Sequence, residues 1–512
     1  MGTISTASSD QIIADGDTAP TDAPADMQRA VAGRLSVPAA LAIAAESWER
    51  CAYYGTTIMF TIYQETALGR SKPQTVATNR AVELVSFFMP ILGAVVADQW
   101  LGRFKAILLF GAIYPIGLAM LTISSAQFSH DGGFAVPGFF VSTFVFLAVG
   151  AGGIKGNISS FMAEQIRPGY SATKAPGVYR SGEATVERGF RIYYWGICLG
   201  TFVGTAICPQ IAKRQSHTLA FAVTLGFFAM ACAFFLLGTA RYARTRPQGT
   251  VLAKTWRCMR YAWRRRHSGQ AHWLDGALDA AGQEWDNEFV LGLQRSLRAC
   301  RVFLFYPAYW VVDYNVADTY INQGLTMRRP DWLSADQLNL AYTLSLVVAI
   351  PVSDYAFPLL RRMGLRLGPI TRITIGFGIV ACAVAYAAVL QRVIYSRGPY
   401  YDFSGPDVPA GATNNISIWL QVVQYSLTGL SEVFVSITGL EYAFTQAPAE
   451  LRSVLTALNL ATICGGTLGG IILSPLSKDP SVMYVFAGEA AAMAALALAF
   501  YLCFRRHDDN DG

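Results

Sequence analysis

Three ionisable residues, Glu46, Glu49 and Arg50, lie within a segment that is otherwise apolar, VPAALAIAAESWERCAYYGTTIMFTIY. Their i, i+3 and i+4 spacing places all three on one face of a helix. A charge within a membrane-spanning helix costs about 2.5–3.5 kcal/mol on insertion scales, so such charges are seldom kept without a use. Arg50 can pair with one carboxylate, and the other must then be protonated or pair across a helix bundle. A carboxyl group in that position can carry a proton.

Further charges lie in apolar segments of both halves of the chain. They are Lys155 in GAGGIKGNISSFMAEQ, Asp313 and Asp318 in YWVVDYNVADTYINQ, and Glu432 and Glu441 in LSEVFVSITGLEYAFTQAP. An acid facing a base in a low dielectric has two stable states, one paired and charged and one separated and neutral. Charges from both halves at similar depth are typical of a carrier that opens to one side of a membrane at a time. Ion pairs that only fasten helices together are the alternative, and a channel would need a ring of repeated polar residues that the sequence lacks.

The composition predicts the elements that must position these charges. Of 512 residues, 53% are hydrophobic and 14% are charged, against about 25% charged in soluble domains, and the mean hydropathy is +0.34. The chain is therefore an all-α integral membrane protein. Windows of about 20 apolar residues predict twelve membrane-spanning helices. Their approximate ranges are 38–66, 80–100, 104–123, 138–160, 190–211, 218–239, 302–322, 337–359, 369–390, 416–444, 453–475 and 482–504.

The distribution of Lys and Arg predicts the orientation, because cytoplasmic loops hold the excess of these residues. Basic segments occur at 102–105, 167–191, 241–301 and 361–366, which places both termini in the cytoplasm. The longest connection, between the sixth and seventh helices, contains YAWRRRHSGQ and LDGALDAAGQEWDNEF. These stretches predict one or two amphipathic helices against the membrane surface, with a solvated linker as the alternative. A loop enclosed between spans is a poor candidate for binding nucleic acid.

This pattern predicts five regions. Residues 1–34 lack the apolar core of a signal peptide and are rich in Asp, Ala, Ser and Thr, so they are expected to form a disordered cytoplasmic tail. Two six-helix bundles, 35–240 and 301–504, are joined by a cytoplasmic linker, 241–300. Residues 505–512 form a second cytoplasmic tail.

The sequence does not predict an enzyme, a metal site or a bound cofactor. The five histidines fall in loops or the tail, and there is no HExxH, Walker A or GxSxG motif. The nine cysteines show no CxxC spacing. The glycines of GAGGIKG lie inside a predicted span with no preceding strand, which predicts a close contact between helices.

Several of these segments resemble one family of carriers. ExxERxxYYG, from Glu46 to Gly55, resembles the first-helix motif of the proton-dependent oligopeptide transporters of the major facilitator superfamily. Residues 93–117, GAVVADQWLGRFKAILLFGAIYPIG, resemble that family's signature across the second and third helices. Further similarity lies in GGIKGNISSFMAEQ, YPAYW, DYAFPLLRR, RITIGFG and SITGLEYAFTQAP, of which the last look most like fungal members. The resemblance implies the major facilitator fold, with twelve helices in two six-helix bundles around a central cavity, and import driven by the proton gradient.

The resemblance also implies roles for individual residues. Glu46 and Glu49 would handle protons, with Arg50 as their partner. Lys155 would pair alternately with these acids and with the substrate carboxylate, and Glu432 would hold the substrate amino group or pair across the cavity. The aromatic residues implied to line the pocket are Tyr53, Tyr54 and Trp310.

The superfamily's cytoplasmic loop motif matches at Asp98, Arg103 and Lys105. Pairs formed by these residues would break as the cytoplasmic side opens, so the motif is expected to act in the conformational change rather than in substrate binding. Asp354 with Arg361 and Arg362 is one interpretation of its counterpart in the second half, and a positive-inside anchor is the alternative.

Three departures from the family pattern concern the pocket. Cys198 replaces an Asn that contacts the peptide backbone in peptide carriers, and a thiol cannot supply the paired hydrogen bonds of an amide. Asp313 adds an acid beside the Tyr-Asn of fungal members, and Asn459 adds an amide in the eleventh helix. These changes suggest a shifted pocket.

The sequence therefore predicts a proton-coupled symporter for di- and tripeptides or related small zwitterions. It is expected to act as a monomer in the plasma membrane, with no cofactor besides the proton gradient. A carrier for a modified peptide or a non-peptide metabolite is the first alternative. A nutrient sensor that binds its ligand without net transport is the second.

Overall fold

A computed structural model describes residues 29–126, 132–167, 169–173, 178–244, 247, 251–265, 272–280, 282–363, 368–405, 408–409, 411–439, 442 and 452–508. Almost all regular structure in these ranges is helical. The predicted all-α class is thus confirmed.

Within the described ranges, the first half of the chain has eight helices before the linker. They are α1 (Val37–Thr57), α2 (Phe60–Thr66), α3 (Lys72–Val96), α4 (Arg103–Ser124), α5 (Ala135–Phe140), α6 (Ala148–Glu164), α7 (Gly182–Arg214) and α8 (His217–Leu237). Wider π-helical turns at Ala97–Leu101 and Val141–Leu147 extend α3 and α5, respectively. The helix α1 packs against α7 and α8, while α6 packs against α3 and α4.

In the described residues of the linker and the second half there are nine helices. The linker has α9 (Val251–Arg264) and α10 (Asn287–Ala299), with a 3₁₀ turn at Trp273–Ala277 between them. The second half has α11 (Tyr306–Asp313), α12 (Thr319–Leu325), α13 (Asn339–Arg362), α14 (Pro369–Tyr395), α15 (Val422–Glu432), α16 (Arg452–Leu473) and α17 (Val482–Asp508). Shorter 3₁₀ turns lie at Cys300–Phe305, Tyr314–Ala317, Ala335–Leu338, Ile418–Gln421 and Ser474–Leu476, and a π-helical turn at Val433–Ile437 follows α15. Here α14 packs against α17, and α13 against α15.

Nine helices within the described ranges are long and apolar enough to cross a membrane. Their ranges correspond to nine of the twelve predicted spans, and the other three are those near 38–66, 302–322 and 416–444. The first of these contains the charged face of α1, and the second is interrupted by the 3₁₀ turn at Tyr314–Ala317. The third is divided among short helical segments and includes residues outside the described ranges. Two of these three segments are thus interrupted or divided, and the arrangement is consistent with twelve spans.

The glycine-rich stretch of α6 forms the close helix contact that the sequence predicts. A Cβ atom on Gly153 would lie 2.2 Å from Cγ of Phe110 on α4. One on Gly156 would lie 2.5 Å from the carbonyl oxygen of Pro90 on α3. Only glycine permits these approaches, which hold Lys155, between the two, on a helix with a fixed position.

A small sheet ties the beginning of the described chain to the connection between α6 and α7. The strand β1 (Arg29–Ala32) pairs in parallel with β3 (Val178–Ser181), which pairs in antiparallel fashion with β2 (Tyr170–Ala172). The amide of Gly33 donates to Oγ1 of Thr185 at 2.8 Å. The predicted disordered tail, 1–34, therefore requires a correction, because its last residues gain backbone partners on β3. Residues 1–28 lie outside the described ranges. A second pair of strands, β4 (Met327–Arg328) and β5 (Asn414–Ser417), joins two connections of the second half.

Candidate functional site

The charged face of α1 forms a buried triad. Nε of Arg50 lies 3.1 Å from Oε1 of Glu46, and Nη2 of Arg50 lies 2.5 Å from Oε2 of Glu49. All three residues are 2% exposed. The expectation that Arg50 pairs with only one acid was wrong, because the forked guanidinium can reach both carboxylates from one position. One cation thus serves two acids, and the face carries one excess negative charge when both are ionised.

Close packing of α1 against α7 holds the triad in place. Ser36 caps α1 by accepting from the amide of Ala39 at 3.2 Å. A Cβ atom on Gly200 of α7 would lie 2.1 Å from the carbonyl oxygen of Ser47. This approach brings Tyr193 of α7 to Glu46, and its hydroxyl donates to Oε1 of Glu46 at 3.1 Å.

Lys155 is the cation that faces this triad from α6. Its Nζ lies 3.8 Å from the ring centroid of Phe87 on α3, which is a cation–π contact. Glu46 and Glu49 lie within its electrostatic range, and so does Glu432 from the other half. Within the described part of the chain, no carboxylate is recorded in an ion pair with Lys155. Its ammonium group is therefore placed to receive an anion.

Two acids from the second half lie together on the opposite side of the site. Tyr342 of α13 donates a hydrogen bond to Oε2 of Glu432, at the end of α15. The hydroxyl of Tyr309 donates a hydrogen bond to Oδ1 of Asp313 at 3.1 Å. Asp313 and Glu432 are within electrostatic range of each other. The added acid of this chain therefore belongs to the same cluster as the acid implied by the family. Glu441 lies outside the described residues.

The aromatic, thiol and amide residues predicted to line the pocket are all half-buried or buried. Tyr54 is half-buried, and both Tyr54 and Cys198 lie within electrostatic range of Glu432. Tyr53 is buried, with its ring 5.2 Å from that of Tyr54 in an edge-on contact. Trp310 is also buried, and its indole donates to Oγ1 of Thr462 at 3.2 Å. Asn459 is half-buried on α16, where its carbonyl oxygen accepts from the same threonine at 2.7 Å.

The cytoplasmic loop motif makes contacts within the first half. Nε of Arg103 lies 3.7 Å from Oδ1 of Asp98, and its Nη1 pairs more closely with Glu164 at the end of α6. Gly102 permits the turn between α3 and α4 because its φ is +76°. Lys105 is exposed. The main partner of Arg103 is thus Glu164, which the sequence reasoning did not single out. The side chains of Asp354, Arg361 and Arg362 lie outside the described residues.

A second buried cluster, of which the sequence reasoning singled out only Asp318, joins the two halves. Nε of Arg80 on α3 lies 2.7 Å from Oδ2 of Asp318, and both side chains are at most 2% exposed. Asn315 donates to Oε2 of Glu489 at 2.7 Å, and Glu83 lies within electrostatic range of Arg80. The i, i+3 spacing of Arg80 and Glu83 is the same signal that revealed Glu46 and Glu49. Both Arg80 and Glu83 fall in the first turn of the predicted second span, 80–100.

Four other contacts also join the two halves. They are Lys72 Nζ to Asp479 Oδ2 at 2.7 Å, Thr61 Oγ1 to the carbonyl oxygen of Ala317 at 3.0 Å, Gln210 Nε2 to Gln337 Oε1 at 2.6 Å and Lys213 Nζ to the carbonyl oxygen of Leu333 at 2.7 Å. All lie toward the end of the molecule that the sequence predicts to be extracellular.

Breaking the Arg80–Asp318 pair is expected to destabilise the protein strongly. Replacing Arg80 with glutamine leaves a buried carboxylate without its cation, which costs about 3–5 kcal/mol in free energy of unfolding. The double variant Arg80→Gln/Asp318→Asn removes both charges and should recover most of that loss. Thermal unfolding of the detergent-solubilised protein measures both effects.

The matched control for these Arg80 variants is Lys72→Gln. It breaks a pair of the same length in which the lysine side chain is 28% exposed, so a smaller loss is expected. Equal instability of the single and double Arg80 variants would contradict a direct coupling of the two charges.

No group of three or more His, Cys, Asp or Glu side chains among the residues the structure describes is arranged to hold a metal ion.

Comparisons with known proteins identify the family. The family model described as PTR2: POT family matches residues 104–492. The probable peptide transporter ptr2 of Schizosaccharomyces pombe is 32% identical over 497 residues, which cover 93% of this chain and 79% of that protein. The peptide transporter PTR_A of Candidozyma auris is 30% identical over 506 residues, which cover 94% of this chain and 84% of that protein.

A solved structure shows the same fold. The in meso crystal structure of the POT family transporter PepTSo matches with a TM-score of 0.76 and 22% identity, covering 93% of this chain and all 100% of that one. The predicted major facilitator fold is thereby confirmed. The chain is a multi-pass integral membrane protein and belongs to the POT family.

Proposed function

We propose that this protein is a proton-coupled symporter that imports di- and tripeptides, or related small zwitterions, by alternating access. The observation that carries the proposal is the position of Lys155, which lies within electrostatic range of both acids of the Glu46–Glu49–Arg50 triad and of Glu432 from the other half. Peptide transport is the activity named for the fungal relatives described above.

The charges of the site suit a zwitterion. A peptide has a carboxylate at one end and an ammonium group at the other, so a receptor for it needs a fixed cation and a fixed anion. Lys155, which has a ring contact but no recorded acid partner in the described part of the chain, supplies the cation. Glu432 supplies the anion, with Asp313 beside it. Tyr54 and Cys198 lie near the same end of the pocket.

The triad supplies the proton-handling groups. Because Glu46 and Glu49 share one guanidinium, a proton on either acid removes the excess negative charge of α1. Lys155 is then released from their field and can bind the substrate carboxylate. Departure of the substrate returns Lys155 to the acids, which favours the charged form and release of the proton. Proton and substrate therefore leave on the same side.

The clusters at the two ends act as conformational gates in this proposal. Arg80–Asp318 and Lys72–Asp479 close the extracellular side by joining the bundles. Asp98, Arg103 and Lys105, together with Glu164, act at the cytoplasmic side. The bundles 35–240 and 301–504 rock about the site, connected by 241–300. Both termini face the cytoplasm, and the protein acts as a monomer in the plasma membrane with no cofactor besides the proton gradient.

Uptake by purified protein in liposomes tests the proposal. An inward proton gradient should drive accumulation of a labelled dipeptide, and an uncoupler should abolish it. A panel of small zwitterionic metabolites is tested in parallel. If the gradient drives uptake of a metabolite but not of the dipeptide, the substrate is that metabolite rather than a peptide. Binding of a dipeptide without uptake of any compound would favour a sensor.

A carrier for a modified peptide or a metabolite is the second candidate, favoured by Cys198 and Asp313. The variant Cys198→Asn restores an amide donor and acceptor beside Glu432, so it should broaden the range of dipeptides that are taken up. Competition of unlabelled peptides against a labelled one measures that range. The matched control, Cys198→Ala, removes the thiol without adding an amide. Equal ranges for both variants, with normal folding, would show that the replacement is incidental.

A further inference from the structure

The linker between the two halves has a hydrophobic core of its own. The helices α9 and α10 and the turn at Trp273–Ala277 enclose a separate cluster, formed by Cys258, Ala262, Leu274, Ala277, Trp285, Phe289, Val290 and Leu293. The helix α9 also packs against α16, and α10 leads directly into the 3₁₀ turn that precedes α11. The linker is thus an ordered body attached to the second half.

Two tryptophans lie on the outer face of α9. Thr255, Cys258 and Ala262 point inward and are buried, as the helical period requires. Trp256 and Trp263 are seven residues apart, on the opposite part of the helix, and each is 65% exposed. Large apolar rings so exposed on one face indicate a surface that is covered by something other than water.

Positive charge accompanies these tryptophans. Arg257, Arg260 and Arg264 lie on the same outer face, and all are exposed. Arg257 pairs with Glu284 at 2.5 Å, whereas Arg260 and Arg264 have no recorded ion-pair partner in the described part of the chain. The sequence of α9, VLAKTWRCMRYAWR, has no acidic residue. The covering surface must therefore be negatively charged as well as partly apolar.

We propose that the outer face of α9, formed by Trp256, Arg257, Arg260, Trp263 and Arg264, binds anionic phospholipid headgroups of the adjacent membrane leaflet. Tryptophan is the residue that favours the boundary between headgroups and acyl chains, and arginines near it attract acidic lipids. Attachment of the linker to α16, a helix long and apolar enough to span the membrane, puts α9 near the bilayer surface. The proposal does not depend on what the protein transports.

Quenching of tryptophan fluorescence by brominated lipids tests the position of the face. The full-length protein and the variant Trp256→Phe/Trp263→Phe are reconstituted in phosphatidylcholine with or without phosphatidylserine. The difference between the two emission spectra isolates Trp256 and Trp263. We expect lipids brominated near the headgroup to quench this difference, more strongly when phosphatidylserine is present. Quenching by aqueous iodide alone would overturn the proposal, because the two tryptophans would then face water. Quenching by neither agent would also overturn it, because a protein surface would then cover them.

Energy transfer to fluorescent lipids tests the role of charge. In the wild-type protein, transfer from tryptophan to dansyl-labelled phosphatidylserine should exceed transfer to dansyl-labelled phosphatidylcholine. The variant Arg257→Gln/Arg260→Gln/Arg264→Gln should lose this preference, by roughly fivefold in lipid affinity for each arginine. The control Arg214→Gln/Arg328→Gln/Arg397→Gln removes three exposed charges from the other end of the molecule and should keep it. An unchanged preference in the first variant would overturn the proposal.

Discussion

Glutamine in place of Glu49 is expected to abolish proton-driven accumulation of the substrate while leaving counterflow intact. Oε2 of Glu49 lies 2.5 Å from Arg50 in a site with 2% exposure. An amide fills the same volume and can accept a hydrogen bond from the guanidinium, so the triad keeps its shape. It cannot take up and release a proton. Exchange of labelled for unlabelled substrate needs no net proton movement, and liposome assays with and without a gradient separate the two activities.

The same replacement at Glu46 extends this prediction. Glu46 also contacts Tyr193, so Glu46→Gln keeps one hydrogen bond as well as its volume. We expect loss of accumulation here too, because one guanidinium would then face a single ionised acid. Glu284→Gln, on the exposed surface of the linker, is the matched control and should behave as wild type. Unchanged accumulation in both triad variants would remove these acids from the coupling mechanism.

Replacing Lys155 with glutamine should impair both accumulation and counterflow. This lysine is the cation proposed to receive the substrate carboxylate, and a hydrogen bond to a charged group contributes about 1.5–3 kcal/mol. Its loss should weaken substrate binding by roughly ten- to a hundredfold, since 1.4 kcal/mol corresponds to about tenfold. The substrate concentration at half-maximal counterflow measures the change.

A lysine with similar surroundings provides the control for that variant. Nζ of Lys254 lies 4.3 Å above the ring of Phe289 in the linker, and that of Lys155 lies 3.8 Å above Phe87. Lys254→Gln therefore removes a comparable cation–π contact far from the site and should leave counterflow unchanged. Normal counterflow in Lys155→Gln would show that another group holds the substrate carboxylate.

The sequence predicts those features of the site that depend on residues close together in the chain. The helical period alone places Glu46, Glu49 and Arg50 on one face, and this prediction needs no knowledge of how the helices cross. The roles of Lys155 and Glu432 are implied only by the family resemblance. The family resemblance then supplies the fold, which the structural comparison confirms.

Contacts between helices that are far apart in the sequence could not be predicted in this way. The pairing of Arg50 with both acids depends on the side-chain rotamers of the three residues. The pairing of Arg103 with Glu164 depends on where α6 ends. Arg80 and Asp318 belong to different halves, so only the packing of those halves brings them within 2.7 Å. The period of a helix gives the face on which a residue lies, but not its partner.

The parallel pairing of β1 with β3 also fixes an order of events during synthesis. The contact between Gly33 and Thr185 spans 152 positions in the chain. The strand β1 leaves the ribosome before α1, yet its partner exists only after α6 has been made. Residues 29–32 therefore have no strand partner while several hydrophobic helices enter the membrane. A chain arrested before Ser181 would expose this strand, whereas the finished first half protects it, so protection of residues 29–32 from a protease would mark the completion of that half.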